Sequence, residues 1–308
     1  MDTQPITSAR LAASVISVPP LARDANLRID RHENQRLVRF LEQGGISTLL
    51  YGGNAVLYHV RPTEYAQLLT VIRDIAGAST LMIPSVGPAF GTMMDQVGVL
   101  ADFDFPTVMV LPQKEVCDSS GIATGVRMFA EAYGKPIVLY LKHDRWLAPE
   151  SVGKLHRDGI ISWIKYAVVR DNPSHDDYLR EVLAQVPGDI VVSGIGEQPA
   201  IVHLRDFGVI SFTSGCVCVA PSRSMEMLRA IQQGQYDEAD SLRQQFCGLE
   251  DLRNAIQPIR VLHRAVELAD IAKTGPMLPM LGELSADQIA KIRIAAQSLL
   301  AWQQAAFV

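Results

Sequence analysis

IISWIKY (residues 160–166) is a short run in which Ile160, Ile161, Trp163 and Ile164 lead into Lys165 and Tyr166. Continuous hydrophobicity of this kind, without strict alternation, suits a strand covered on both faces, as in a parallel sheet. Seven similar runs share the chain with it: ASVISV (13–18), ISTLLY (46–51), TLMIPSV (80–86), TVMVL (107–111), PIVLYL (136–141), DIVVSG (189–194) and GVISFT (208–213). Between them, residues 33–43, 63–75, 121–133, 175–185 and 222–232 carry amphipathic, helix-like patterns. Eight strand-helix units closing on themselves make a (β/α)8 TIM barrel, and the roughly 230 residues involved are near the usual size for one. An open doubly wound sheet more often carries a Gly-rich turn after its first strand. Here that place holds VPPLARDAN (18–26).

The division expected is a barrel over residues 1–233 and a C-terminal helical appendage over 234–308. No strand-like run follows Gln233, and residues 236–248, 249–271 and 285–305 read as helices. Gly275 and Pro276 interrupt the pattern before the last of these, where Ser285 supplies an N-cap and Asp287 an acid in the first turn.

Composition narrows the partners. The 308 residues are 48% hydrophobic and carry 28 basic against 33 acidic side chains, a formal charge of -5. Basic residues are scattered, so the electrostatic footprint of a nucleic-acid binder is missing. A small molecule is the expected partner. No stretch approaches the ~18 apolar residues of a membrane span, and the N-terminus lacks a basic leader directly before its apolar stretch. A cytoplasmic protein is expected, with Cys117, Cys216, Cys218 and Cys247 as reduced thiols.

Active sites of such barrels lie at the C-terminal ends of the strands. Those ends offer Tyr51 to Asn54, Pro112 to Lys114, Tyr140 to His143, Lys165, Gly194 to Glu197, and Thr213 to Gly215. Lys165 stands out. A lysine among Trp163, Ile164 and Ala167 loses hydration, which disfavours the ammonium form. A neutral amine can attack a carbonyl and form a Schiff base. The plainer alternative is a packed aliphatic stem whose charged end snorkels to solvent. On the preceding strand Tyr140 can point to the same mouth as a general acid/base, and five residues later Arg145 carries a fork suited to a carboxylate.

The order of these residues resembles the dihydrodipicolinate synthase and N-acetylneuraminate lyase family. IVLYLKHDR (137–145) resembles its Tyr and following Arg, ISWIKYA (161–167) its GIKEA segment with the Schiff-base lysine, and GVISFTSG (208–215) its GVISVTAN strand. AIQPIRVLHRAVELADI (255–271) and PMLPM (276–280) resemble the helical C-terminal region. The resemblance runs from about residue 11 to about residue 300 and implies a class I lyase, an aldolase or dehydratase. It implies pyruvate or another 2-keto acid as substrate, for example a 2-keto-3-deoxy sugar acid. By the same resemblance Lys165 forms the imine and Tyr140 moves protons; Gly53, Asn54, Ala55, Arg145, Ile210, His143 and Gln113 bind substrate. Neither a metal nor an organic cofactor is called for, and a homo-oligomer, a tetramer, is implied.

Two departures point to a divergent member and away from dihydrodipicolinate synthase itself. Residues 53–57, GNAVL, stand where the family has a GTTGE-like turn, so both threonine hydroxyls are gone. Backbone amides of Asn54 and Ala55 can still meet a carboxylate. Gln113-Lys114 replaces a Tyr-Tyr pair whose aromatic hydroxyl completes a proton relay with a neighbouring subunit. His59, His143, Asp144, Gln113, Lys114 and Glu197 are expected near the mouth as a polar lining. The alternative function is a catalytically impaired barrel kept as a keto-acid binding or interaction protein.

Overall fold

Pro84 has no N–H to give to a ladder, and it splits the third apolar run into two strands. The computed structural model, which describes residues 1–305, contains nine strand segments. They are β1 (Ile16–Ser17), β2 (Thr48–Leu50), β3 (Leu81–Ile83), β4 (Ser85–Val86), β5 (Met109–Val110), β6 (Ile137–Leu141), β7 (Ile161–Tyr166), β8 (Val191–Ser193) and β9 (Ser211–Ser214). Their order is β3-β2-β1-β9-β8-β7-β6-β5-β4, and every paired neighbour runs parallel. The two ends of that order flank Pro84 in one continuous segment, so the sheet closes into a ring. The eight apolar runs are the eight staves of a (β/α)8 barrel.

The helices are α1 (Ser8–Ala12), α2 (Arg31–Gln43), α3 (Tyr65–Ile75), α4 (Phe90–Leu100), α5 (Ser119–Tyr133), α6 (Pro149–Arg157), α7 (Asp177–Leu183), α8 (Ala200–Phe207), α9 (Pro221–Gln232), α10 (Tyr236–Ala255), α11 (Pro258–Leu268) and α12 (Ala286–Gln304). Side-chain carboxylates start several of the outer ones. Asp30, Asp118 and Asp176 accept hydrogen bonds from the amides of Glu33, Gly121 and Leu179, which satisfies N–H groups that have no partner inside the helix. The expected cap of α12 is present as a full capping box, with Ser285 and Gln288 bonding each other's backbone.

One expected boundary moves. Residues 236–248 and 249–271 read as two helices divided at Gly248, but α10 runs through Gly248 without a break and stops before Gln257-Pro258. Glycine inside a long, packed helix costs only about 1 kcal/mol. Proline tolerates only the first turn, and Pro258 takes that position in α11, with Gln257 as its N-cap.

Strand geometry places the chemistry. Successive side chains alternate across β7, so Trp163 and Lys165 share the inner face while Ile164 and Tyr166 meet the helical layer. Tyr166 donates to the buried carboxylate of Asp176, which caps α7. Across the ladder Val138 pairs with Trp163, and Tyr140 with Lys165. Fully buried Trp163 therefore lies one layer below Lys165 and closes off water from beneath.

Candidate active site

The ends of several strands, together with α10, enclose a cavity of about 240 Å³. Lys165 and Tyr140 line it, as do Gly53, Asn54, Thr213 and Arg253. Lys165 is only 6% exposed. Its Nζ stands 4.6 Å from the centre of the Tyr140 ring. Burial, followed by the charges of Lys142 and Arg253, lowers its pKa to about 7. A displacement of that size from 10.5 disfavours the ammonium by roughly 5 kcal/mol. The ring face returns on the order of 2 kcal/mol to a desolvated cation, less than that cost. Desolvation and like charge prevail, and the amine is substantially neutral near pH 7.

Tyr140 moves the other way. Burial pushes its phenol up to about 12, so it stays protonated at neutral pH as a proton donor. A weakly basic amine beside a phenol that keeps its proton is a pairing suited to carbonyl addition and dehydration.

The turn after β2 has a left-handed position occupied by a branched side chain. Val56, at the place of the second glycine in the GTTGE-like turn, holds φ 57°, a left-handed conformation rare for a β-branched residue. Its side chain is buried, and that burial offsets a backbone cost of about 1–2 kcal/mol. Asn54 is tied down twice, its Nδ2 donating to the Val18 carbonyl at 2.9 Å and its own carbonyl 2.8 Å from His263 Nε2. Among the described residues, the N–H groups of Asn54 and Ala55 have no protein acceptor.

The other expected site residues separate. Arg145 is exposed, at φ 50°, and makes two 2.6 Å hydrogen bonds to Glu181 outside the cavity. Asp144 bonds Arg170. Ile210 precedes β9 and is not part of the lining; its amide donates to Val191. Ala55 is buried just behind the turn, and His59 is exposed. Gln113, Lys114 and His143 line an adjoining outer cavity of about 660 Å³ that meets the inner one at Lys142.

Thr213 stands at one of the strand ends named above, but Arg253 carries no signal in a strand-end reading. Arg253 reaches the mouth from the last turn of α10, sixty residues past the end of β8 in the chain. Its guanidinium lies against Gly215 and 3.9 Å from Cys216 Sγ. Thr213 is buried, and its hydroxyl has no partner among the described residues. Behind this wall Glu197 accepts from Ser214 and Ser224, while Glu250 accepts from the amides of Glu197 and Gln198. Burial pushes both carboxyls up, Glu250 further through the adjacent Glu197 charge. Two such acids favour a shared proton. Cys216 Sγ lies within 4.8 Å of both, but the neighbouring Arg253 already supplies positive charge to the cluster. Gly196 allows the acids to approach, because at φ 101° a Cβ there meets Glu250 Oε1 at 2.0 Å.

A closed parallel barrel with a desolvated lysine at the C-terminal mouth defines the class of protein. The Dihydrodipicolinate synthetase family profile matches residues 12–298, and the chain belongs to that family, whose members are class I aldolase-like lyases that use a Schiff-base lysine. The fold is similar to dihydrodipicolinate synthase from Bacillus clausii, with TM-score 0.82, 20% identity, and coverage of 95% of this chain and 98% of that one. The enzyme from Oceanobacillus iheyensis matches at TM-score 0.80 and 22% identity over 96% and 98%. That from Thermotoga maritima matches at 0.82 and 18% over 94% and 99%. No curated protein sequence matches.

Proposed function

We propose that this protein is a Schiff-base lyase, an aldolase or dehydratase, that acts on pyruvate or another 2-keto acid through an imine on Lys165. The observation that carries the reading is the buried Lys165 amine, with its pKa near 7, set against Tyr140 inside a closed-bottomed cavity. The neutral amine adds to the keto carbon, Tyr140 gives its proton to the departing hydroxyl, and water leaves as the imine forms. In an aldolase the imine then accepts the pair of the breaking C3–C4 bond while the C4 hydroxyl gives up its proton and becomes a carbonyl; in a dehydratase it accepts the pair left when C3 loses a proton, and the enamine so formed expels the C4 hydroxyl as water.

The substrate carboxylate is assigned to Arg253 and the free amides of Asn54 and Ala55, in place of Arg145. The Thr213 hydroxyl is available to the same group. Incubation with pyruvate or a 2-keto-3-deoxy acid, borohydride reduction and peptide mass mapping should place the adduct on Lys165. An adduct elsewhere, or none, defeats the assignment. Tyr140→Phe should still trap but turn over about 10²–10⁴-fold more slowly.

The competing reading is a barrel that binds keto acids without turning them over, favoured by Asn54 and Ala55 standing where the family has its two threonine hydroxyls. Reversible binding without a reducible adduct selects it. A homo-oligomer, tetrameric by resemblance, is also proposed. Phe90, Val116 and Met128 leave apolar surface exposed around a cavity of about 740 Å³, and light scattering reads the mass directly.

A further inference from the structure

The outer cavity carries more positive charge than Lys142, which helps depress Lys165, supplies by itself. Lys114 and Lys142 place ammonium groups in its wall, and His143 sits beside them. Burial, and after it the charges of Lys142 and Lys114, disfavours the imidazolium of His143. Neither lysine is in an ion pair among the described residues. Of the acids nearest in sequence, Asp144 is engaged by Arg170, and Glu115, exposed in the same wall, forms no ion pair with either lysine. Lys142 lines both spaces, with its Nζ 5.8 Å from the centre of the Tyr58 ring, so it stands at the border between the inner and outer cavities.

Like charges left together at the end of a catalytic cleft repel one another until an anion joins them. Their placement at the wide end leaves the narrow end to the keto carboxylate. Resting on the Schiff-base reading, we infer that Lys114, Lys142 and His143 form a subsite for a second anionic group, a carboxylate or phosphate, at the far end of the 2-keto acid. Pyruvate fills only the inner cavity. The substrate class is then an anion at both ends, long enough to run from Lys165 past Lys142.

The test compares ligands of graded length that differ in the terminal group: 2-oxoglutarate, 2-oxoadipate and 2-oxopimelate against 5-methyl-2-oxohexanoate, whose end is uncharged, with 2-keto-3-deoxy-6-phosphogluconate as the phosphate arm. Half-saturation of borohydride trapping on Lys165 and calorimetric affinity are both measured. At least one doubly anionic ligand should bind roughly tenfold or more tightly than the uncharged compound, as for a hydrogen bond to a charged group. That preference should fall several-fold in Lys114→Met and in Lys142→Met. Equal affinity for charged and uncharged ends, or a preference unchanged in both variants, overturns the subsite even where pyruvate is trapped on Lys165. Conversely, if no keto acid is trapped while calorimetry retains a lysine-dependent preference, the Schiff-base reading fails and the subsite stands.

Discussion

At the scale of the residue, the decisive fact about Lys165 is the cost of charging it. Its native pKa of about 7 lies below the 10.5 of an exposed lysine, so the unfolded chain binds this proton more tightly than the folded one. The residue therefore lowers stability fully below pH 7, and the penalty fades as pH rises from about 7 toward 10.5. Lys165→Met should abolish borohydride trapping yet melt higher than the native protein, with a gap that narrows between pH 7 and pH 10 in thermal scans. The same titration governs reactivity. The initial rate of trapping should climb with pH through a midpoint near 7 and show no fall by pH 9, because Tyr140 keeps its proton to about 12.

At the scale of the element, α10 completes a site otherwise built from strand ends. Arg253 is one of the two cations that depress Lys165, so its removal should raise that pKa. Arg253→Leu is expected to shift the trapping midpoint upward and to raise the half-saturating pyruvate concentration about tenfold or more. Arg145→Ala, which breaks an exposed pair with Glu181 and a contact with the Tyr178 ring outside the cavity, should change that concentration less than twofold. The turn after β8 is equally dependent on α10. Gly196→Ala forces a side chain into Glu250 at a positive φ and should lower the melting temperature, at a cost of at least about 2 kcal/mol.

At the scale of the whole molecule, the C-terminal helices pack as part of the structure they close. Phe246 and Leu249 are buried, Phe246 stacks edge-on against Trp302 at 5.5 Å, and Gln303 accepts from the amide of Ser222 at the start of α9. His263 on α11 lies 2.8 Å from the Asn54 carbonyl of the β2 turn. A chain ended after Gly234 is expected to lose the wall of the Lys165 cavity and to expose this apolar surface, read as dye binding and loss of cooperative melting. All four cysteines are free, and no helix among the described residues is long and apolar enough to cross a membrane.

The sequence by itself determined the barrel, because strands buried on both faces must be apolar throughout and eight such runs can be counted along the chain. It also singled out Lys165 and Tyr140, since a strand's register is local and both stand where their strands end. The α10–α11 boundary was legible too, in Pro258, although Gly248 is the more conspicuous interruption. What only the tertiary structure decided is which cation faces the cavity. Arg145 and Arg253 carry the same guanidinium, and a five-residue offset from Tyr140 favours the first. In space Glu181 draws Arg145 outward, while the packing of α10 on the barrel swings Arg253 over the mouth. Contacts between residues so distant along the chain leave no periodicity to read; they exist only once the ring has closed.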